Sequence, residues 1–311
     1  MFVRRLLLVA PLFLLCVPFA FGQLPKRLEK CLPYPTLAQE IRETRPAPTE
    51  VRVHVVRVDF DPNDGIPADV REEISTKLRS QVFERDVESA YLKDLAQEIA
   101  EVPVRGAFRD RGYFKTNATA MLTTLQVQDG DVWAVVRINA TPGPQYRTGG
   151  IQIKSADPDS ALAISPEVLR SLIPLKRGEL FSVARVRAGL EELGRVFGRQ
   201  GYLDMTPEPD TEVDEARETV NLVIRIDQQV QYRVGSVEFL GMNAAMQERL
   251  AGSLPRHGEV LDRDRLEEFF KANRAILPSD VSRDDMSIRR DTKARTVAIF
   301  FDFRTCSTNA N

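Results

Sequence analysis

Few side chains in this sequence could bind a metal ion or assist a nucleophile. The 311 residues include two histidines and three cysteines. Zinc sites need clusters of His and Cys ligands at short spacings, and neither His54 nor His257 has a cysteine beside it. His54 alternates within a strand pattern and His257 lies in a turn at residues 255–258, which favours ordinary surface or edge positions for both. A Ser-His-Asp nucleophile would need one of these histidines, and neither has a recognisable partner.

Phosphate and calcium chemistry have no better candidates. The sequence has no glycine-rich phosphate loop and no paired-carboxylate motif. The segment "DFDPNDG" at residues 59–65 imitates a calcium loop, but its glycine comes one position late and Val70 replaces the bidentate glutamate. We interpret it as a capped turn. We therefore expect no catalytic residues, no metal, no cofactor and no enzymatic activity.

The N-terminal segment predicts export. Two arginines precede an apolar run at residues 6–21, and small residues around Gly22 suit a signal peptidase. The run is shorter than the roughly 20 residues of a membrane-spanning helix, so we expect residues 1–22 to be a signal peptide cleaved near Gly22. Retention of this segment as a membrane anchor is the alternative. Residues 23–50 are rich in proline and are interpreted as a linker.

Composition excludes one class of partner. The 43 Lys and Arg residues and the 45 Asp and Glu residues are nearly balanced, so the chain lacks the basic footprint that nucleic acids require. After cleavage of the signal peptide, Cys31 and Cys306 would remain, near opposite ends of the chain. A disulfide between them is conceivable in an oxidising compartment, and the sequence leaves that pairing open.

Two short phrases occur twice. "FRDRGYF" at residues 108–114 matches "FGRQGYL" at 197–203, and "YRTGGIQIKS" at 146–155 matches "YRVGSVEFLG" at 232–241. The two pairs have nearly the same offset, which predicts a repeated domain. The shared residues that we single out as structural are Gly112, Tyr113, Gly201, Tyr202, Tyr146, Gly149, Tyr232 and Gly235. We expect each Gly to end a helix and each following Tyr to begin a turn.

Periodicity gives each repeat the order strand, helix, helix, strand, strand. The first two repeats have clear patterns, including a hairpin signal at Asp129-Gly130, a helix cap at Ser182, and Pro103, which must end, bend or divide a long helical stretch at 89–111. The third repeat lacks the Gly-Tyr phrase. The predicted domains are residues 51–143, 144–230 and 231–304, with a tail at 305–311. Predicted last-hairpin strands begin at Asn117, Leu203 and Met286.

This unit resembles the POTRA (polypeptide-transport-associated) domain. The resemblance is carried by the two Gly-Tyr phrases and by "VNLVIRIDQQVQYRVGSVEFLG" at 220–241, where one repeat's last strand runs almost directly into the next repeat's first. It covers residues 51–304 and implies an α+β fold: a tandem array of three βααββ domains, each with a three-stranded mixed sheet packed on two helices. This predicted array is similar to the periplasmic part of barrel-assembly outer-membrane proteins. Because the sequence stops at Asn311 after a short polar segment, we expect this chain to lack their β-barrel.

The resemblance implies a binding function in the periplasm, in association with the outer membrane. POTRA domains bind unfolded outer-membrane proteins or assembly partners, commonly by β-augmentation, in which a guest strand adds to a sheet edge. It implies partners of that kind, no small-molecule substrate, and membrane contact only through a docked partner. The implied edge-strand residues are Thr119, Met121, Leu203, Met205, Met286 and Ile288.

Two other functions remain open. The chain could be an envelope structural or division-type protein held by an uncleaved N-terminal helix. It could also be the detached periplasmic subunit of a two-chain translocator.

Overall fold

The computed structural model describes residues 50–62, 65–86, 91–277 and 281–304. The predicted signal peptide, nearly all of the linker and the C-terminal tail lie outside the described residues, together with Cys31, Cys306 and part of the calcium-like segment. Within the described part, the strands form three separate mixed sheets that are accompanied by helices. The predicted α+β class is therefore confirmed.

The first sheet has the strand order β2-β1-β4-β3. Strand β1 is parallel to β4, and the other two pairs are antiparallel. The strands are β1 Glu50–Phe60, β2 Val82–Asp86, β3 Asn117–Gln128 and β4 Asp131–Thr141. The helices are α1 Ala68–Arg79, α2 Tyr91–Ile99 and α3 Arg105–Arg109. Alternate β1 residues are buried against helical residues spaced four apart, such as Ile74 and Leu78, as the two periodicities require.

The first sheet has one strand more than we predicted. Strand β2 pairs antiparallel with β1, and Phe83 packs against the core of this sheet. Pro103 divides the long helical stretch, which is one of the predicted outcomes. A π-helical turn at Ala100–Val104 separates α2 from α3 there, because proline has no N–H for the regular helical bond.

The second sheet has the order β5-β7-β6. Its elements are β5 Arg147–Ser155, α4 Pro166–Ser171, α5 Val183–Arg199, β6 Thr206–Asp214 and β7 Thr219–Asp227. The Ser182 hydroxyl accepts a hydrogen bond from the Arg185 N–H at 3.3 Å, as expected of a helix cap. Strand β6 begins at Thr206 and not at Leu203, so our predicted start of this strand was wrong. The physical reason is that Leu203 packs against the core of the third sheet and therefore lies outside strand β6.

The third sheet has the order β8-β10-β9. Its elements are β8 Arg233–Leu240, α6 Ala244–Ala251, α7 Arg263–Ala272, β9 Met286–Asp291 and β10 Thr296–Asp302. A short 3-10 turn at Arg283–Asp285 carries a capping box that leads into β9. The core of this sheet is aromatic, with the Phe269 and Phe301 rings 4.7 Å apart.

The described residues form two compact units, one containing residues 50–194 and 211–226, the other 195–210 and 227–304. Helix α5 and strand β6 therefore contribute to both units. The domain boundaries that we predicted at residues 143/144 and 230/231 remain predictions. Of the helices in the described part, none is both long and apolar enough to cross a bilayer.

Candidate binding edges and joints

Strand β3 is an edge strand of the first sheet. It pairs with β4 on one side, and no described strand pairs with its other side. Its sequence, NATAMLTTLQVQ, contains neither a charged residue nor a proline. Ala120 and Leu122 pack against the core, whereas Thr119 and Met121 are exposed on the opposite face. Two of the predicted edge residues therefore lie on an open edge.

Three large apolar side chains of β3 are exposed. Met121, Leu125 and Val127 are 55%, 60% and 63% exposed. A β-bulge shifts the register between Thr124 and Gln126, so the regular pairing of residues 117–124 is interrupted at Leu125 and resumes at Gln126. Bulges re-aim side chains along a strand. Met121 lies opposite Arg137 on the outer face, whereas Val127, past the bulge, pairs with the core residue Val132, so the exposed apolar side chains of β3 lie on both faces of the strand.

A polar cluster lies on the outer face of the same sheet, next to this edge. The ring of His54, on the inner strand β1, stacks on Trp133 of β4 at 5.5 Å between ring centroids. Asp131 lies 2.6 Å from His54 Nε2 and accepts a hydrogen bond from Arg52 at 2.7 Å. The hydrogen bond with His54, followed by the one from Arg52, lowers the pKa of the Asp131 carboxyl. Trp133 is half-buried on this outer face, away from the main core.

Strand β6 holds the equivalent edge position in the second sheet, but its composition is different. Pro207 and Pro209 occupy alternate positions, and proline is tolerated in a sheet where its missing N–H would face away from the partner strand. Glu208, Asp210 and Glu212 are all exposed. Strand β6 therefore lacks two backbone donors and carries a row of carboxylates.

Strand β9, at the edge of the third sheet, is short and carries arginines. Met286 and Ile288 are half-buried and pack against the aromatic core. The Arg289 guanidinium lies 5.2 Å from the centroid of the Phe300 ring. Arg290 Nε lies 3.3 Å from Asp204 Oδ1. The predicted residues Met286 and Ile288 thus lie on an edge strand, with their side chains turned toward the core.

The other two predicted edge residues, Leu203 and Met205, lie in the turn before β6. Leu203 packs against the core of the third sheet. It belongs to a set of contacts that the sequence analysis did not anticipate, and these contacts occur twice in the chain.

The first joint, as we name the earlier set, connects the Gly112 turn to Tyr146. Gly112 has a φ of +83°, and its carbonyl oxygen accepts a hydrogen bond from the Tyr146 N–H at 2.7 Å. A Cβ at Gly112 would lie 2.7 Å from the Tyr146 carbonyl oxygen, so only glycine fits there. Phe114, at the end of the repeated phrase, makes an edge-to-face contact with Phe181 at 5.7 Å.

The second joint repeats this geometry at Gly201. Gly201 has a φ of +80°, and its carbonyl oxygen accepts from the Tyr232 N–H at 2.9 Å. A Cβ at Gly201 would lie 2.6 Å from the Tyr232 carbonyl oxygen. The Tyr232 hydroxyl donates to Asp204 at 2.6 Å. Burial, reinforced by this hydrogen bond, raises the pKa of Tyr232 to about 12.

The remaining residues of the repeated phrases complete each joint. The Arg147 guanidinium donates to the Gly178 carbonyl at 2.8 Å, and Arg233 donates to the Gly258 carbonyl at 2.9 Å. Gly149 and Gly235 lie where the parallel pairing of their strands shifts register, as is typical of glycine in a bulge. The signal that could have revealed these partners is the Gly-Glu pair at 178–179, which recurs at 258–259.

His257 belongs to the second of these Gly-Glu turns. Its Nδ1 lies 2.6 Å from the Gly235 carbonyl oxygen, which fixes the ring against the bulge. In the described ranges, no three His, Cys, Asp or Glu side chains are grouped closely enough to hold a metal ion.

Comparison with known proteins agrees with this architecture. The POTRA family model, described as "Surface antigen variable number repeat", matches residues 146–229. The "Putative outer membrane protein assembly factor" of Treponema pallidum (strain Nichols) is 23% identical over 220 residues, which are 70% of this chain and 25% of that protein. The chain thus spans a quarter of the length of this relative.

The crystal structure of Haemophilus influenzae BamA POTRA3-5 has the same kind of fold. It matches with a TM-score of 0.55 and 16% identity, over 82% of this chain and 97% of that one. The family match identifies a POTRA domain at residues 146–229, and the fold of the described part is that of tandem POTRA domains. The three tandem sheets with their helices resemble the POTRA region of BamA.

Proposed function

We propose that this chain is a non-enzymatic binding and scaffold module for the assembly or export of outer-membrane proteins, and that it works in the periplasm. The POTRA match and the name of the Treponema relative support the general role. The predicted signal peptide supports the compartment. The partners would be unfolded outer-membrane proteins or a β-barrel assembly protein, and the chain would reach the membrane only by docking to such a partner.

The proposed mechanism is β-augmentation, and the observation that carries it is the open edge of β3. Thr119 and Met121 lie on a strand that uses one side for β4 and leaves the other side unpaired by any described strand. Main-chain hydrogen bonds give such pairing its affinity and make few demands on the guest sequence. A module that must accept many clients needs that tolerance.

A photo-crosslinking experiment in native envelopes tests this function. The exported full chain would carry p-benzoylphenylalanine in place of exposed Thr119, with Glu248 on helix α6 as the matched exposed control position. We expect crosslinks to identified barrel proteins or assembly partners from Thr119 and not from Glu248. Recovery of only inner-membrane or cell-wall proteins from Thr119 would overturn the proposal.

A further inference from the structure

We propose that, of the edge strands β3, β6 and β9, only β3 accepts a guest strand, and that Pro207 and Pro209 close β6. The guest would be an uncharged segment with apolar side chains at alternate positions. This inference rests on the proposed function, because it concerns how the same module chooses an edge. The argument depends on the three edges that occupy equivalent positions in the three sheets.

Strand β3 lacks the features that normally protect an edge. Proteins discourage edge-to-edge pairing with short strands, charged side chains, prolines or bulges. Residues 117–124 of β3 have none of these, and the bulge comes only at their end. This run is longer than the typical strand of about 5–6 residues, so it offers a complete ladder to a guest.

Strand β6 has two protective features together. N–H groups of alternate residues in a strand point to the same side, so Pro207 and Pro209 remove two successive donors from one side. Because a sheet tolerates proline where its nitrogen faces away from the partner strand, the donors are missing from the side that a guest would approach. Three exposed carboxylates between and beyond the prolines add repulsion toward acidic guests.

Strand β9 is protected by its length and charge. It spans Met286–Asp291, and its last three residues are charged and exposed. Arg289 packs over Phe300 and Arg290 pairs with Asp204, so both side chains are held at the edge. Charged side chains at an edge disfavour the approach of another strand.

The chemistry of β3 also defines its guest. With no charge on the strand, an ionic guest residue would gain no charged cross-strand partner on β3. Exposed Met121 offers an apolar contact to a cross-strand neighbour on the outer face, and Leu125 and Val127 add exposed apolar side chains past the bulge. A guest with alternating apolar and small polar residues matches both faces of the extended sheet.

The test uses the full chain and a ten-residue peptide of alternating valine and threonine, blocked at both ends. The matched control peptide has the same sequence with N-methyl groups at alternate residues, which removes the donors on one side. Benzophenone side chains would replace Thr119 on β3, Glu208 on β6 or Arg289 on β9, all of which are exposed. We expect the unmodified peptide to label the Thr119 position alone, and the N-methylated peptide to label it at least about ten times less.

Three variants sharpen the result, each checked for native circular dichroism. Met121→Lys should weaken peptide binding at least about tenfold, whereas Glu208→Lys should leave it unchanged. The double change Pro207→Thr with Pro209→Thr should create labelling at position 208.

Equal labelling of β3 and β6 in the unaltered protein would overturn the closed edge while leaving the proposed function intact. Equal labelling by the N-methylated peptide would overturn backbone pairing, and no labelling at any of the three probed edges would overturn the proposed β-augmentation through β3.

Discussion

The joints and the edges of this molecule follow opposite rules. The joints at Gly112 and Gly201 repeat the same backbone hydrogen bond, the same positive φ and the same close approach to a tyrosine carbonyl. The edge strands β3 and β6 hold equivalent positions in consecutive sheets, yet one is neutral and open and the other contains prolines and carboxylates. A joint depends on specific side-chain volumes, so its residues must recur. An edge depends on backbone groups, so side chains there are free to decide access.

The largest effect is expected at the second joint. Gly201→Ala places a Cβ 2.6 Å from the Tyr232 carbonyl oxygen at a φ of +80°, which should lower the free energy of unfolding by more than about 2 kcal/mol. Gly258→Ala is the matched control, because Gly258 has the same φ but open space around its Cβ position, and alanine keeps the carbonyl that accepts from Arg233. Its cost should be about 1 kcal/mol. Urea titration followed by circular dichroism would measure both.

A second readout separates the joint from the local turn. Hydrogen exchange of the Tyr232 amide, which donates to Gly201, should accelerate in Gly201→Ala and stay slow in Gly258→Ala. Equal costs and equal exchange in the two variants would show that the close approach contributes nothing. The same comparison applies to the first joint, with Gly112→Ala set against Gly178→Ala.

A smaller effect should distinguish the two joints from each other. Tyr232→Phe removes the donor to the partly buried Asp204 carboxylate, and hydrogen bonds to charged groups contribute about 1.5–3 kcal/mol. Tyr146→Phe is the control, because the residue after the first phrase is Lys115, at the position that Asp204 holds after the second. Tyr146 therefore has no equivalent carboxylate acceptor at that position. We expect a larger drop in urea midpoint for Tyr232→Phe. Equal drops would mean that the hydroxyl of Tyr232 adds no stability.

The same tyrosine predicts a pH dependence. The pKa of Tyr232 rises from 10.0 to about 12 in the folded chain, so the folded state favours the protonated hydroxyl. The contribution of this pKa shift to the free energy of unfolding is complete below pH 10. It is lost between pH 10 and about 12, because the unfolded state releases the proton first. The native chain should therefore lose more stability across that interval than Tyr232→Phe. Parallel curves for the two proteins would contradict the shifted pKa.

The smallest effect is expected from Lys115, which forms an ion pair with Glu215. The hydrogen bond to Glu215 raises the pKa of Lys115, but both side chains are largely exposed. Lys115→Ala should cost at most about 0.5 kcal/mol, and 0.5 M salt should reduce the difference from the native chain. A loss above 1 kcal/mol, or one that salt leaves unchanged, would show that this residue packs as well as pairs.

Local patterns allowed much of the fold to be predicted, and long-range contacts account for the rest. Val220, Leu222, Ile224 and Ile226 alternate and are all buried, and both helix-ending glycines have positive φ. Strand β2 was missed because five residues are too few for a clear alternating pattern. Its pairing with β1, which the local sequence does not reveal, is what makes it a strand. Leu203 was assigned to an edge because its turn gave no sign of the third core on which it packs. The exposure of Thr119 and Met121 on β3 could be predicted, because successive side chains of a strand point to opposite faces and this requires no knowledge of the partner strand.

The second joint also determines how the chain would respond to tension. Strand β7 ends at Asp227 and β8 begins at Arg233, so little slack separates them. A pull along the backbone would reach Tyr232 almost at once. Its ring is fully buried, its N–H bonds Gly201 and its hydroxyl bonds Asp204. Extension of this short link would require the tyrosine to leave all three contacts together. We therefore expect the second joint to resist extension of the chain.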